Sequence, residues 1–205
     1  ADGRHVRLAT IQLPREGERQ AEVAMAALTA LVAGKTLDLG FADRGADRHG
    51  KLLAHAFIGG DWLQARLVRD GHARVAPRTE MRRCARELLT EEAAARTAKR
   101  GLWSSAAYRI RKPGELDADI GTFQIVEGKV LSVKTSRDRT FLNFGPDYRT
   151  DFTVTIPRSN AMRMIKEGTD PATWNGKTVR VRGWLTRLNG PEIEVTTSEQ
   201  VEVVE

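Results

Sequence analysis

The stretch Asp47–Val75, DRHGKLLAHAFIGGDWLQARLVRDGHARV, decides the fold. Its middle, KLLAHAFI (51–58), reads as a strand that enters the turn Gly59-Gly60-Asp61. Asp61 is placed to cap a short helix running through Leu67 and Val68, which stops at Gly71. HARVA (72–76) then reads as a short strand. Strand and helix periods alternate within one short span, which predicts a mixed architecture.

The pattern continues on both sides. HVRLATIQL (5–13) is a strand that runs into Pro14. EVAMAALTALVAG (22–34) places Val23, Ala27, Leu28, Leu31 and Val32 at helical spacing, and Gly34 suits the C-cap. KTLDLGF (35–41) alternates Thr36, Asp38 and Gly40 against Leu37, Leu39 and Phe41. Downstream, MRRCARELLTEEAAARTAKRG (81–101) predicts a longer helix with Met81, Cys84, Ala85, Leu88, Leu89 and Ala95 on its apolar face and Gly101 at its end.

RIRKPGELDADIG (109–121) joins a basic run, a Pro-Gly turn and an acidic run, the composition of a linker. Beyond it the chain is almost pure strand: FQIVEGKVLSVK, RTFLNFG, DFTVTIP, then a helical piece SNAMRMIKEG, then KTVRVRGWLTRL, an NGP hairpin turn, EIEVTT and QVEVVE. Three strands, a helix and two further strands, the last interrupted, is the order of a five-stranded OB-type barrel. The sequence therefore predicts a mainly β, α+β protein with domains at 1–108 and 122–205 and a linker at 109–121.

Charge divides the same way. Residues 1–112 hold 21 Lys and Arg against 13 Asp and Glu, and residues 113–205 hold 12 against 14. The basic first part is the candidate for a polyanionic partner. The single cysteine, Cys84, excludes an internal disulfide and a cysteine-based zinc site, and the four histidines show no ligand spacing. No stretch is long and apolar enough to predict a membrane span.

Three blocks, VRLATIQLP, DRHGKLLAHAFIGGDWLQARLVRDGHARV and EEAAARTAKRGLW, recur in this order and spacing in one family. Over roughly residues 3–108 the sequence resembles the thermonuclease family, the staphylococcal-nuclease-like domains. The second half resembles a C-terminal extension that accompanies some bacterial members. The resemblance implies an OB barrel with helices packed on it, and calcium-dependent hydrolysis of phosphodiesters. The family's site has two arginines that clamp phosphate, a glutamate that activates water and aspartates that hold calcium, each demanded by the chemistry.

By family position the first clamp arginine falls on Arg7 and the second on Lys51, which keeps a charge but not the fork. The Asp-x-Pro-Glu that should follow the strand reads Gln12-Leu13-Pro14-Arg15. Gln12 offers a metal one neutral oxygen, and Arg15 is no base. Glu16, or Glu18, is the remaining candidate base; both also suit the start of a helix, where acids favour the dipole. Arg7, Arg15, Arg48, His49 and Lys51 are the candidate substrate-binding residues. No metal ligand set is complete, and no cofactor is expected. Calcium is expected only if residues upstream of this sequence supply the family's other aspartate, because Asp2 sits in a different turn.

Two functional readings follow. One is a nucleic-acid-binding protein of the family with weak or altered phosphodiesterase activity. The other is a non-catalytic binding or scaffolding module, with a protein partner for the second domain. The resemblance implies a periplasmic or secreted setting, with the cytoplasm as the alternative.

Overall fold

The structure, a computed structural model, describes residues 5–46 and 50–204, with the side chains of 42–46 outside that description. The chain divides into two compact units, Ala1–Tyr108 and Arg109–Glu205.

In the first unit the order is β1 (Val6–Leu8), β2 (Ile11–Gln12), α1 (Arg19–Val32), β3 (Asp38–Ala46), β4 (Leu52–Ile58), β5 (Asp61–Trp62), α2 (Leu63–Arg69), β6 (Arg74–Val75) and α3 (Ala85–Thr97), with single 3-10 turns at Gly101–Ser104 and Ala106–Tyr108. β4 is the centre. It runs parallel to β1 and antiparallel to β3, and β5 folds back on its end. β2 leaves this sheet and pairs with β6. Among the described residues the strands make a curled half-barrel, not a closed ring. Its core gathers Ile11, Ala56, Leu63, Leu67, Val68, Val75 and Leu88, so α2 and α3 are held by the apolar stripes that the sequence periodicity announced.

Three local expectations need correction. Asp61 does not cap the helix. It pairs with Ile58 in a hairpin, and α2 begins after Trp62 with no side-chain cap. α3 begins at Ala85 rather than Met81, because Cys84 takes a left-handed conformation at φ 58°. Cys84 is therefore exposed instead of filling the helix face, and Met81 packs with Ala9 and Leu53.

His55 on β4 accepts a hydrogen bond at Nδ1 from Trp62 Nε1, 3.2 Å away. Burial pushes the imidazole pKa below its ordinary value, against smaller opposing effects of the Arg83 backbone and Glu87. The folded state thus resists a proton that the unfolded chain accepts. Stability should be full above about pH 6.5, the unfolded value, and should fall as pH drops below it. Thermal melts from pH 7.5 to 5 should show this loss, and His55→Asn should flatten it; an unchanged slope would remove His55 as the cause.

The second unit has β7 (Phe123–Lys129), β8 (Ser132–Thr135), β9 (Arg139–Asn143), β10 (Thr153–Pro157), α4 (Arg158–Lys166), β11 (Thr178–Leu188), β12 (Gly190–Glu194) and β13 (Val201–Val204). β7 pairs with β11, and its continuation β8 pairs with β9. β9 pairs with β10, β10 runs parallel to β12, and β12 and β13 both pair with β11. The ring closes as the OB-type barrel that the strand order predicts. Leu116, Val126, Leu142, Phe144, Phe152, Val154, Val181, Leu185 and Ile193 fill it.

The stretch expected as a linker is part of this body. Leu116 is 1% exposed and sits in the core. Arg111 bridges to Val126 and forks onto Asp119 at 2.7 and 3.2 Å. Pro113 occupies the space over Gly128, where a Cβ would come within 2.6 Å of the proline Cγ.

On β11 the valines point inward and Arg180 and Arg182 outward. Arg182 is nevertheless fully buried and donates to Glu202. Arg180 donates to Glu127 at 2.7 Å and stands 3.9 Å from Glu202. Burial would raise the Glu127 carboxyl, but hydrogen bonds from Arg180 and Lys112 outweigh it and hold the pKa below the ordinary range.

Candidate nucleic-acid interface

Arg7 lies in β1, and Lys51 precedes β4. The parallel register sets Arg7 beside Leu53, and the Leu52 N–H donates to the His5 carbonyl at 2.9 Å. Lys51 is thus level with His5, two residues along the neighbouring strand from Arg7. Period-two alternation puts Arg7, His5, Lys51 and Leu53 on one face, with the two cations' Cα atoms roughly 8 Å apart by strand geometry.

The strand then changes neighbours. Ala9 still donates to the Ala54 carbonyl at 2.9 Å. Thr10 is fully buried, adopts φ 65° and donates through Oγ1 to the Met81 carbonyl at 2.6 Å. From Ile11 onward the partner is β6, which sets Gln12 opposite Arg74. The Gln12 amide nitrogen donates to the next carbonyl, Leu13, at 3.0 Å.

After Pro14, which is buried, Arg15 and Glu16 are exposed. Glu18 occupies the N-cap position of α1 without capping it, because its carboxylate accepts the Tyr108 hydroxyl. Burial first, then Glu18, push the Tyr108 phenol far above its ordinary pKa, while Arg74 and the Arg15 backbone oppose the shift. The Arg74 guanidinium lies over the Tyr108 ring, 4.9 Å from its centroid.

The predicted site residues therefore separate into groups. Arg7 and Lys51 are neighbours. Gln12 faces Arg74, and Arg15 adjoins the Tyr108–Glu18 pair. Glu16, the speculative base, projects from the turn with no polar partner among the described residues. Arg48 and His49 lie outside the described residues. Arg74 and Tyr108 were missed by sequence reasoning. Arg74 is one basic residue in an apolar strand, and Tyr108 stands just before a charged run, so neither carries a local signal.

The donor set does not fit calcium. A hard cation wants several oxygen ligands, mostly carboxylates. Here Gln12 is neutral and faces an arginine, and the Glu18 carboxylate is taken up by Tyr108. Among the described residues no three His, Cys, Asp or Glu side chains cluster to hold a metal.

Comparison with curated proteins finds no match to the chain. The family model described as Staphylococcal nuclease homologue matches residues 5–105, nearly the whole of the first unit and none of the second. With its β4–α2–β6 block, its half-barrel and that match, the first unit is a domain of the staphylococcal nuclease family.

Proposed function

We propose that the first unit holds nucleic-acid backbone through phosphate contacts, without base specificity and without cutting it. The observation that carries this is the Arg7–Lys51 pair, two cations on one face of adjacent parallel strands, in a region with 21 basic against 13 acidic residues over 1–112. Arg15 replaces a repelling carboxylate with a further positive charge, which favours holding phosphate. Hydrolysis would need a base and a metal, and loss of a general base alone costs about 10²–10⁴-fold in rate. This binding does not need calcium, because the described carboxylates nearby do not form a site for it.

The test is fluorescence anisotropy with labelled single- and double-stranded DNA between 50 and 200 mM salt. Affinity should fall steeply, with a log–log slope of about −0.7 to −0.9 for each phosphate contact. Arg7→Glu with Lys51→Glu should lower both affinity and slope, and the exposed Lys166→Glu should not. DNA incubated with calcium should remain intact. Absence of binding at low salt, or robust calcium-dependent cleavage lost in Arg7→Ala, would overturn the reading.

A further inference from the structure

The second unit carries a cleft of about 430 Å³ on the outer face of its barrel. Outward residues of a barrel ordinarily meet water. Here Asn143, Thr153 and Glu192 are only 8, 9 and 7% exposed. They form one row across the sheet: Ser132 opposes Asn143, Asn143 opposes Thr153, Thr153 opposes Glu192, and Glu192 opposes Thr186. Phe141, Tyr148 and Leu188 are apolar members of the lining, and Lys134 lines it too.

This floor is only partly satisfied. The Asn143 Nδ2 donates to Ser132 Oγ at 3.1 Å, which leaves the other polar atom of the amide without a partner among the described residues. Thr153 Oγ1 has none either. Glu192 accepts from Thr155 at 2.5 Å and Thr186 at 3.3 Å, with Arg139 3.7 Å away. Two hydroxyls leave a carboxylate lone pairs to spare, chiefly on Oε2. Three polar residues so little exposed, with hydrogen-bonding capacity open to the cleft and with Phe141 and Tyr148 in the same lining, offer a ligand polar partners beside aromatic surface.

We infer that this cleft binds an unpaired guanine base of a single-stranded nucleic acid. The ligand must be flat, to stack on Tyr148 and Phe141, and must present two adjacent donors to one carboxylate. Guanine does so with N1–H and the 2-amino group. Adenine and cytosine have one amino donor on that edge, and thymine has one ring N–H. The edge is the one used in base pairing, so a duplex cannot present it. Lys134 lines the cleft, and Arg149 lies over the Tyr148 ring at 5.5 Å, both suited to the flanking phosphates. An arginine side chain, the other flat multiple donor, would meet Lys134 and Arg139 as like charges. The unit as a whole, with 15 basic and 14 acidic residues over 109–205, is not a polyanion trap, so recognition rests on the base. All of these residues belong to the second unit.

The test uses the full chain and labelled thymidine nonamers carrying one central guanine, hypoxanthine or abasic site, at fixed salt. All three have the same phosphates, so first-unit binding cancels in their ratio. Guanine should bind about 5- to 150-fold tighter than the abasic oligomer, with hypoxanthine, which lacks the 2-amino group, between them. Glu192→Gln should collapse that ratio towards one. Tyr148→Ala, at a residue 58% exposed whose loss leaves the fold intact, should lower guanine affinity and spare the abasic oligomer. Arg7→Glu with Lys51→Glu should lower every affinity and leave the ratio. Equal binding of guanine and abasic oligomers, a ratio untouched by Tyr148→Ala, or displacement of the guanine oligomer by an arginine peptide would overturn the inference.

Discussion

Gly71→Ala is expected to destabilise the first unit by roughly 2–5 kcal/mol, a drop of about 10–25 °C in its melting midpoint. Gly71 has φ +73°, where a side chain is strained, and a Cβ there would lie 2.7 Å from the Arg100 carbonyl carbon. Gly101 presses back in the same way, 2.8 Å from the Asp70 oxygen, and Leu102 donates to the Gly71 carbonyl at 2.8 Å. The two glycines of LVRDGHARV and RGLW are thus one contact, backbone on backbone, tying the end of α2 to the turn after α3. The control is Gly17→Ala, where φ is +88° but nothing lies within 4 Å. It should show only the conformational cost, about 1–2 kcal/mol. Equal losses in the two variants, measured by thermal melting, would mean that the close approach has no energetic weight.

Glu92→Ala is expected to cost about 3–5 kcal/mol, the usual consequence of breaking a buried ionic hydrogen-bonded group. Glu92 is fully buried in α3 and accepts the Val75 N–H of β6 at 2.7 Å. Its other oxygen stands 3.3 Å from the Arg96 guanidinium, which lies over Trp103 at 5.8 Å. Alanine would remove the acceptor of the Val75 N–H and the carboxylate beside Arg96. Glu92→Gln keeps an acceptor for Val75 and should lose clearly less. Denaturant melts in which the two variants fall together would show that the strand hydrogen bond is not what Glu92 supplies.

Much of this was legible in the sequence because it is local. The apolar period of α2, the turn at Gly59-Gly60 and the strand order of the second barrel each depend on residues a few places apart. What the sequence hid depends on distant partners. Asp61 looks like a cap until β4 takes it into a hairpin. Cys84 looks like helix interior, yet it takes a left-handed conformation just before α3 while Met81 packs with Ala9 and Leu53. Leu116 is one apolar residue in a charged run, and nothing nearby tells that it fills a barrel. At the candidate site, Arg7 and Lys51 could be read from motif position. The turn of the chain at Thr10, which hands Gln12 to Arg74 and leaves Glu18 to Tyr108, could not.

The alternation on β11 has a consequence for misfolding. Arg180 stands directly between Glu127 on β7 and Glu202 on β13. A slip of one residue would turn Arg180 and Arg182 into the apolar interior and set Val179 and Val181 against the two glutamates. Two unpaired charges would then be buried, at several kcal/mol each. The Arg–Glu ladder therefore works as an alignment key. It adds little to the stability of the correct barrel, but it makes the neighbouring alignments too costly to populate, so three strands far apart in sequence are left one way to meet.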